Sequence, residues 1–263
     1  ALQKLRRVLN TKLGFFLLVV LLFCLKSYWA YQNEFNLGVK GSMQQFLLAF
    51  NTIPSALVFL GIALYFRGRL SYWMMLIINA ALSTWLFANI LYYREFSDFI
   101  TFNVIKGSGA ASNNLGKSLM GILRPEDFLV YLDVVILALI LLFHFVRVDM
   151  RRFKVRYAMT MTALGFVLFG VNLGMAESDR SQLLTRTFDN NYIVKYLGLE
   201  AYTVYDGVKT TNNSVVKARA NRDELKPVLH FIHSNYAAPN VEYYGKAKGK
   251  NIFIIHLESL QQF

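Results

Sequence analysis

The sequence predicts an α-helical membrane protein with three parts: a five-span transmembrane helix bundle, an extracellular helical linker, and the first strand of a truncated α/β domain. Three observations support this fold class. Hydrophobic residues make up 55% of the 263 residues, and charged residues only 17%. Five segments are apolar over about 20 residues, the length of helix that crosses the hydrocarbon core of a bilayer. A strand-like apolar run follows a basic, glycine-containing segment close to residue 263.

The five predicted spans are residues 13–31, 46–66, 72–93, 129–146 and 157–174. Basic residues precede the first span, as in a signal peptide. Its apolar stretch is too long for a typical cleaved peptide and four spans follow, so we interpret it as a retained anchor. Pro54 lies inside the second span and predicts a bend. Asp133 lies in the fourth span, where an acid either has a function or turns toward the lipid headgroups.

The distribution of Lys and Arg predicts the orientation of the bundle. The net charge is +12, and most basic residues before Gly174 lie at the N-terminus or in short connections on the same side of the membrane. Since such residues favour the cytoplasmic side, the N-terminus is predicted inside, and five spans place the chain after Gly174 outside. The location of the basic residues on the cytoplasmic side of the spans accounts for the positive net charge, so no nucleic-acid partner is expected. Cys24 is the single cysteine, which excludes an internal disulfide framework.

Three domains are predicted: residues 1–175 form the transmembrane domain, 176–245 form juxtamembrane helices and a linker, and 246–263 begin a second domain. Residues 181–205 carry apolar residues at helical spacing, which predicts one or two helices packed near the membrane. Residues 210–221 are small and polar, which is typical of a linker. This linker contains Ala218 and Ala220 in an A-x-A tripeptide of the kind that signal peptidases recognise, although such triplets are common by chance.

The predicted outer connection, residues 94–128, is long and contains two glycines close together, which indicates a flexible loop. Part of it, residues 96–105, could lie along the membrane surface. Arg94, Glu95 and Asp98 lie at its start, and we consider them candidate contacts for lipid headgroups.

Residues 251–257 form a β-branched and aromatic run, which predicts a buried strand of a parallel sheet. Glu258 follows directly, and ligands of open α/β sheets bind at the carboxyl ends of strands. Glu258 is therefore a candidate oxygen ligand for a hard divalent cation. The alternative is a carboxylate that caps the next helix. A single strand has no sheet to join, so the sequence is expected to be cut at the start of a second domain.

Four motifs together resemble the lipoteichoic acid synthases, the polyglycerolphosphate polymerases of Gram-positive bacteria. They lie at residues 34–38, 93–99, 245–251 and 252–259, and the resemblance covers the whole chain in order. It implies that a sulfatase-like extracellular domain follows the five spans and uses a divalent ion, Mn²⁺ or Mg²⁺, held partly by Glu258. The family's nucleophilic threonine would lie past residue 263, so this chain would lack it and be inactive alone. The resemblance also implies signal peptidase cleavage after Ala220.

The implied activity is that of a phosphoglycerol transferase in the bacterial plasma membrane, with its C-terminal domain outside. It would polymerise glycerol phosphate from phosphatidylglycerol into lipoteichoic acid and release diacylglycerol. The implied partners are phosphatidylglycerol, a glycolipid-anchored glycerol phosphate polymer, membrane lipids and other cell-envelope synthesis or division proteins. Primase or hydrolase relatives share this architecture, so the acceptor stays open. The alternative is a non-enzymatic membrane scaffold or a module that translocates lipid or polymer.

Overall fold

The computed structural model describes residues 9–107, 121–146, 148–149, 153–185, 189–219, 222–236 and 240–251. The chain divides into two compact units, Ala1–Asn212 and Asn213–Phe263. The α-helices of the described residues are α1 Lys12–Asn33, α2 Gly41–Phe50, α3 Thr52–Gly61, α4 Gly68–Phe96, α5 Leu132–Leu142, α6 Val155–Asp179, α7 Asn190–Leu197, α8 Leu199–Arg219 and α9 Arg222–Ser234. The described residues also contain two 3₁₀ segments, Ile62–Tyr65 and Pro125–Tyr131, and shorter helical stretches that include 102–107 and 121–122.

Four helices are long and apolar enough to cross a membrane: Lys12–Asn33, Gly41–Tyr65, Gly68–Phe96 and Val155–Asp179. They coincide with the first, second, third and fifth predicted spans, which confirms a membrane protein. The predicted fourth span is the 3₁₀ segment Pro125–Tyr131 followed by α5, which has only 11 residues. At about 2.0 Å per 3₁₀ residue and 1.5 Å per α-helical residue, the two together extend about 30 Å. The number of crossings therefore stays a prediction, although length does not exclude a fifth.

The predicted bend in the second span is a break between α2 and α3 at Asn51. Pro54 lies in the first turn of α3 and has no N–H to donate to the carbonyl four residues earlier, that of Phe50. The helix therefore restarts at Thr52, and the side chain of Asn51 becomes available for contacts elsewhere in the bundle.

Helices α3 and α6 approach each other closely at Gly165. A Cβ atom at this position would lie 2.8 Å from Cγ2 of Val58 and 3.2 Å from the carbonyl oxygen of Pro54. A small residue lets two helix backbones come together where lipid supplies no hydrophobic driving force. Gly165 thus sets the spacing of the second and last candidate spans.

The predicted juxtamembrane helices correspond to α7 and the start of α8. Ile193, Val194 and Leu197 of α7 are buried in a hydrophobic cluster with residues of α1, α2 and α4. The expected linker at 210–221 differs from the structure, because α8 continues through Arg219. The packed start of α8 provides a helix nucleus, and adding residues to an existing helix costs little. Ala220, and the predicted strand from residue 252 onward, lie outside the described residues; the structure describes no strand elsewhere.

Candidate functional site

The candidate site lies at the end of the bundle where α1 and α4 end and α2 begins, called here the Arg94 end. Arg94 of α4 donates from Nη2 to Glu34 Oε2 at 2.8 Å, just after α1. It also binds Asp127 in a bidentate pair, with distances of 2.8 Å to Oδ1 and 3.0 Å to Oδ2. A fourth hydrogen bond joins Nη1 to the carbonyl oxygen of Ile122 at 3.0 Å. One guanidinium therefore ties together three separate segments of the chain.

The side chain of Asp127 is only 2% exposed. It also accepts a hydrogen bond of 2.7 Å from the backbone N–H of Arg124. Burial favours the protonated form, but the bonds from Arg94 and Arg124 outweigh it and lower the pKa of the Asp127 carboxyl. The pair is thus ionised at neutral pH and holds the 3₁₀ segment against α4.

The structure gives the three predicted headgroup contacts different surroundings. Two carboxylates compensate the charge of Arg94. Asp98 accepts hydrogen bonds from the backbone N–H of Phe99 at 2.7 Å and from Asn190 at 3.0 Å. Glu95 is exposed. This geometry favours a positioning role for Arg94 and Asp98, and contact with headgroups stays a prediction for all three.

A polar cavity of about 430 Å³ opens beside Arg94. Its lining is rich in hydrogen-bonding groups: Gln32, Asn33, Glu34, Phe35, Asn36, Tyr93, Arg94 and Ser97. Two rings of this lining, Phe35 and Tyr93, pack with each other and with Phe99 at centroid distances of 5.0 to 5.1 Å. The Tyr93 hydroxyl donates to the carbonyl oxygen of Asn36 at 3.0 Å. Hydrogen-bonding side chains thus line the cavity, and a cluster of aromatic rings adjoins it.

The turn between α7 and α8 is buried among the spans, and side chains of the spans satisfy its backbone groups. Asn51 donates to the carbonyl oxygens of Val194 and Lys195 at 3.3 and 3.0 Å. Asn172 of α6 donates to the carbonyl oxygen of Tyr196 at 3.0 Å. The Val194 carbonyl also accepts from the backbone N–H of Gly198 at 2.9 Å. The asparagines add hydrogen bonds to carbonyls at the end of α7 and take the place of water there.

A buried ion pair lies deeper in the bundle. The Lys26 ammonium of α1 lies 2.8 Å from both carboxylate oxygens of Asp133 in α5. Asn79 and Ser83 of α4 also accept hydrogen bonds from Lys26, and Asn79 donates to Asp133 at 2.9 Å. Asp133 is 8% exposed. The interpretation that it turns toward the headgroups is therefore wrong, because Lys26 compensates its charge inside the bundle.

Glu200, at the start of α8, is a further buried acid. Both of its carboxylate oxygens lack a hydrogen-bond partner among the described residues. Burial raises the pKa of Glu200 to about 7, and the nearby charge of Lys26 only partly offsets this effect. Glu200 also borders an apolar cavity of about 610 Å³, whose lining includes Trp85 and Phe102. Sequence reasoning did not single out Glu200, Lys26 or the two asparagines, although each is a polar residue in an apolar setting.

No group of three or more His, Cys, Asp or Glu residues that could hold a metal ion occurs in the part of the chain that the structure describes. Glu258, the predicted metal ligand, lies outside that part. Ala218 lies in α8, and Ala220 is also outside the described residues. The metal site and the cleavage site thus stay predictions from sequence.

The apolar helices, the ion pairs between them and the polar cavity at one end define a polytopic helical membrane protein. The family model described as "Lipoteichoic acid synthase N-terminal domain" matches residues 2–219. The chain therefore belongs to the lipoteichoic acid synthase N-terminal domain family, as the sequence motifs indicated.

Curated relatives agree with this assignment. Lipoteichoic acid synthase 1 of Bacillus subtilis (strain 168) is 48% identical over 260 residues, which are 98% of this chain and 40% of the relative. The lipoteichoic acid synthase of Staphylococcus saprophyticus is 42% identical over 99% of this chain and 40% of its own length. That of Staphylococcus aureus (strain USA300) is 41% identical over 95% and 38%. The chain thus spans about two-fifths of the length of these relatives. No solved structure matches it significantly.

Proposed function

We propose that this chain is the membrane portion of a phosphoglycerol transferase that polymerises glycerol phosphate from phosphatidylglycerol into lipoteichoic acid. The match of the family model over residues 2–219 carries the proposal, and the names of the relatives support it. Diacylglycerol is the product left in the membrane. Since the relatives extend well beyond the matched region, the reaction belongs to the longer protein.

The Arg94 end faces outward in this proposal. The charge distribution favours an N-terminus inside the bacterial plasma membrane, and α1 then carries Glu34 to the outer surface. The polar cavity beside Arg94 would lie at headgroup level, where phosphatidylglycerol and the glycolipid-anchored polymer are present. The bundle would hold a catalytic domain close to its lipid substrate, which raises the effective concentration of the two.

Glu258 is the proposed ligand for Mn²⁺ or Mg²⁺, and the nucleophile is a threonine beyond residue 263. A divalent ion there would neutralise the phosphate and activate the hydroxyl of the nucleophile. No residue of this chain is proposed as the nucleophile, so the chain alone is expected to be inactive.

Cleavage by signal peptidase after Ala220 is also part of the proposal. Helix α8 runs through Arg219, so its last turn would have to unwind before cleavage. Ends of helices open most easily, and a site at the end of α8 therefore fits better than one in its interior.

The decisive experiment measures diacylglycerol release from phosphatidylglycerol vesicles by the full-length natural protein. We expect metal-dependent release by the wild type and a rate at least about a hundredfold lower in Glu258→Ala. Loss of a residue that only hydrogen-bonds to a metal ligand already lowers metal affinity or activity about 10- to 100-fold, and loss of a ligand should cost at least as much. Glu242→Ala is the matched control, since this glutamate has a side chain that is 71% exposed. Wild-type rates in Glu258→Ala would contradict the metal role. Absence of release by the wild type would favour a non-enzymatic scaffold or a translocating module.

A further inference from the structure

Three basic residues from three segments converge near the start of α2. Lys40 precedes α2, Arg180 follows α6, and Lys195 lies in α7. The Arg180 guanidinium stacks 3.5 Å from the centre of the Tyr192 ring. The Lys195 ammonium lies 4.7 Å from the centre of the same ring. One tyrosine thus places two cations next to each other.

Lys195 is buried, with an exposed fraction of 3%. The one acceptor for its ammonium among the described residues is the carbonyl oxygen of Gly38, at 3.3 Å. Burial lowers the pKa of Lys195, the positive charges of Arg180 and Lys40 lower it further, and Tyr192 and Asp179 act in the opposite direction. The like charges are therefore close enough to interact.

Two nearby carboxylates accept hydrogen bonds from neutral groups and form no direct ion pair with the three cations. Asp179 accepts hydrogen bonds from the Tyr196 hydroxyl and from Gln44. Glu177 accepts from the backbone N–H groups of Gln182 and Leu183, at 2.8 and 3.1 Å. Within the part of the chain that the structure describes, none of the three cations has a carboxylate within ion-pair distance. A positive cluster on the side predicted to be outside also runs against the usual distribution of charge.

A buried ammonium that forms no direct ion pair among the described residues is costly, and an anion placed among the three cations would lower this cost. Arg180 is half-buried and Lys40 is exposed, so both can be reached from outside. The Arg180 guanidinium forms no ion pair among the described residues, and the N–H edge of a guanidinium can make a two-point contact with phosphate oxygens.

We propose that Lys40, Arg180 and Lys195 form a binding site for the phosphodiester of a glycerol phosphate compound. The inference that the ligand is an anion rests on the geometry of the three cations. The choice of glycerol phosphate rests on the proposed function. Its source is either the headgroup of phosphatidylglycerol or a repeat of the glycerol phosphate polymer, and both present the same phosphodiester.

The test uses the 263-residue chain in nanodiscs, with binding measured by ³¹P NMR line broadening. One arm incorporates phosphatidylglycerol in phosphatidylcholine nanodiscs, and the other adds soluble glycerophosphoglycerol to nanodiscs of phosphatidylcholine alone. We expect Arg180→Gln to weaken binding at least about tenfold, because it removes the charge-assisted hydrogen bonds between the guanidinium and the phosphate oxygens. Arg180→Lys should lose part of this affinity, because lysine keeps the positive charge but lacks the paired N–H groups of the guanidinium.

Arg156→Gln is the matched control, because Arg156 is exposed and also stacks on a tyrosine, 5.0 Å from the Tyr157 ring centre. Lys40→Gln serves as a second variant that lies outside the helices, so its loss of binding cannot be ascribed to misfolding of α7. Binding in the phosphatidylglycerol arm supports a headgroup site, and binding in the soluble arm supports a polymer site. Equal affinities of Arg180→Gln and Arg156→Gln, or no binding in either arm, would overturn the proposal.

Failure of this proposal is distinguishable from failure of the proposed function. If Arg180→Gln binds normally while Glu258→Ala of the full-length protein loses diacylglycerol release, the proposed phosphodiester site is wrong and the proposed transferase activity is supported. If Arg180→Gln loses binding and Arg156→Gln does not, while the full-length wild type releases no diacylglycerol, the phosphodiester site is supported and the proposed transferase activity is wrong.

Discussion

At the residue scale, a few charged side chains determine how the bundle is joined at the Arg94 end. Arg94 pairs with Glu34 and Asp127, which lie on other segments. Lys26 pairs with Asp133 in the interior. Each pair is stabilising only while both partners are present, because a buried charge that loses its partner keeps the cost of its desolvation.

The first prediction concerns Arg94. Arg94→Gln leaves Asp127 without its ion pair, and we expect the free energy of unfolding to fall by about 3 kcal/mol. Thermal unfolding in detergent measures the change. Arg69→Gln, an exposed arginine on the same helix, should change stability by about 0.5 kcal/mol or less. Equal effects of the two substitutions would show that the network does not stabilise the fold.

The second prediction concerns Glu200. Its pKa is raised from 4.5 to about 7, so the folded state binds a proton more tightly than the unfolded state. Stability is then fully present below pH 4.5 and is lost as the pH rises through about 7. Glu200→Gln should therefore stabilise the protein at pH 8, by on the order of 3 kcal/mol, and have little effect at pH 4.

Unfolding midpoints measured from pH 4 to pH 8 test this prediction. Glu242→Gln is the control, because the side chain of Glu242 is 71% exposed, and its effect should not depend on pH. A constant difference between wild type and Glu200→Gln across this range would contradict the assigned protonation.

At the element scale, the packing of α3 on α6 depends on the absence of a side chain at one position. We expect Gly165→Leu to lower stability by about 1–3 kcal/mol or more, because its Cβ alone would lie 2.8 Å from Val58. Gly170→Leu on the same helix is the control, since a Cβ atom added at Gly170 would meet no neighbouring atom within 4 Å. Thermal unfolding of both variants gives the comparison, and similar midpoints would show that the helices can separate without cost.

At the scale of the whole molecule, orientation in the membrane is the property that links the bundle to its proposed task. Single-cysteine variants Arg67→Cys and Lys209→Cys, made in a Cys24→Ser background, test it. With a membrane-impermeant maleimide on intact cells, Lys209→Cys should react and Arg67→Cys should react only after permeabilisation. Both native residues, Arg67 and Lys209, are exposed. The reverse pattern would place the Arg94 end inside and contradict the proposed function.

Sequence patterns identified Arg94 and Asp98 but not what they bind. The carboxylate partners of Arg94 lie 33 and 60 residues away in the sequence. The spacing of apolar residues within one helix carries no information about contacts at such separations. Asp133 was identified as an acid in a span, yet its partner Lys26 is 107 residues away. The signal for Lys26, Asn51 and Glu200 was present in the sequence, since each is polar within an apolar setting, but it does not specify a partner.

The sequence by itself determined the membrane class, the position of four long apolar helices, the break near Pro54 and the family. Each depends on local composition or on matched motifs, because apolar length alone decides whether a helix can cross a bilayer. The tertiary structure decided that α7 and the start of α8 pack among the spans, and that Lys26 and Asp133 neutralise each other. It also decided which cations meet at Tyr192. These contacts join distant segments, and only the packing of the helices fixes which buried charge finds a partner and which is left to bind something else.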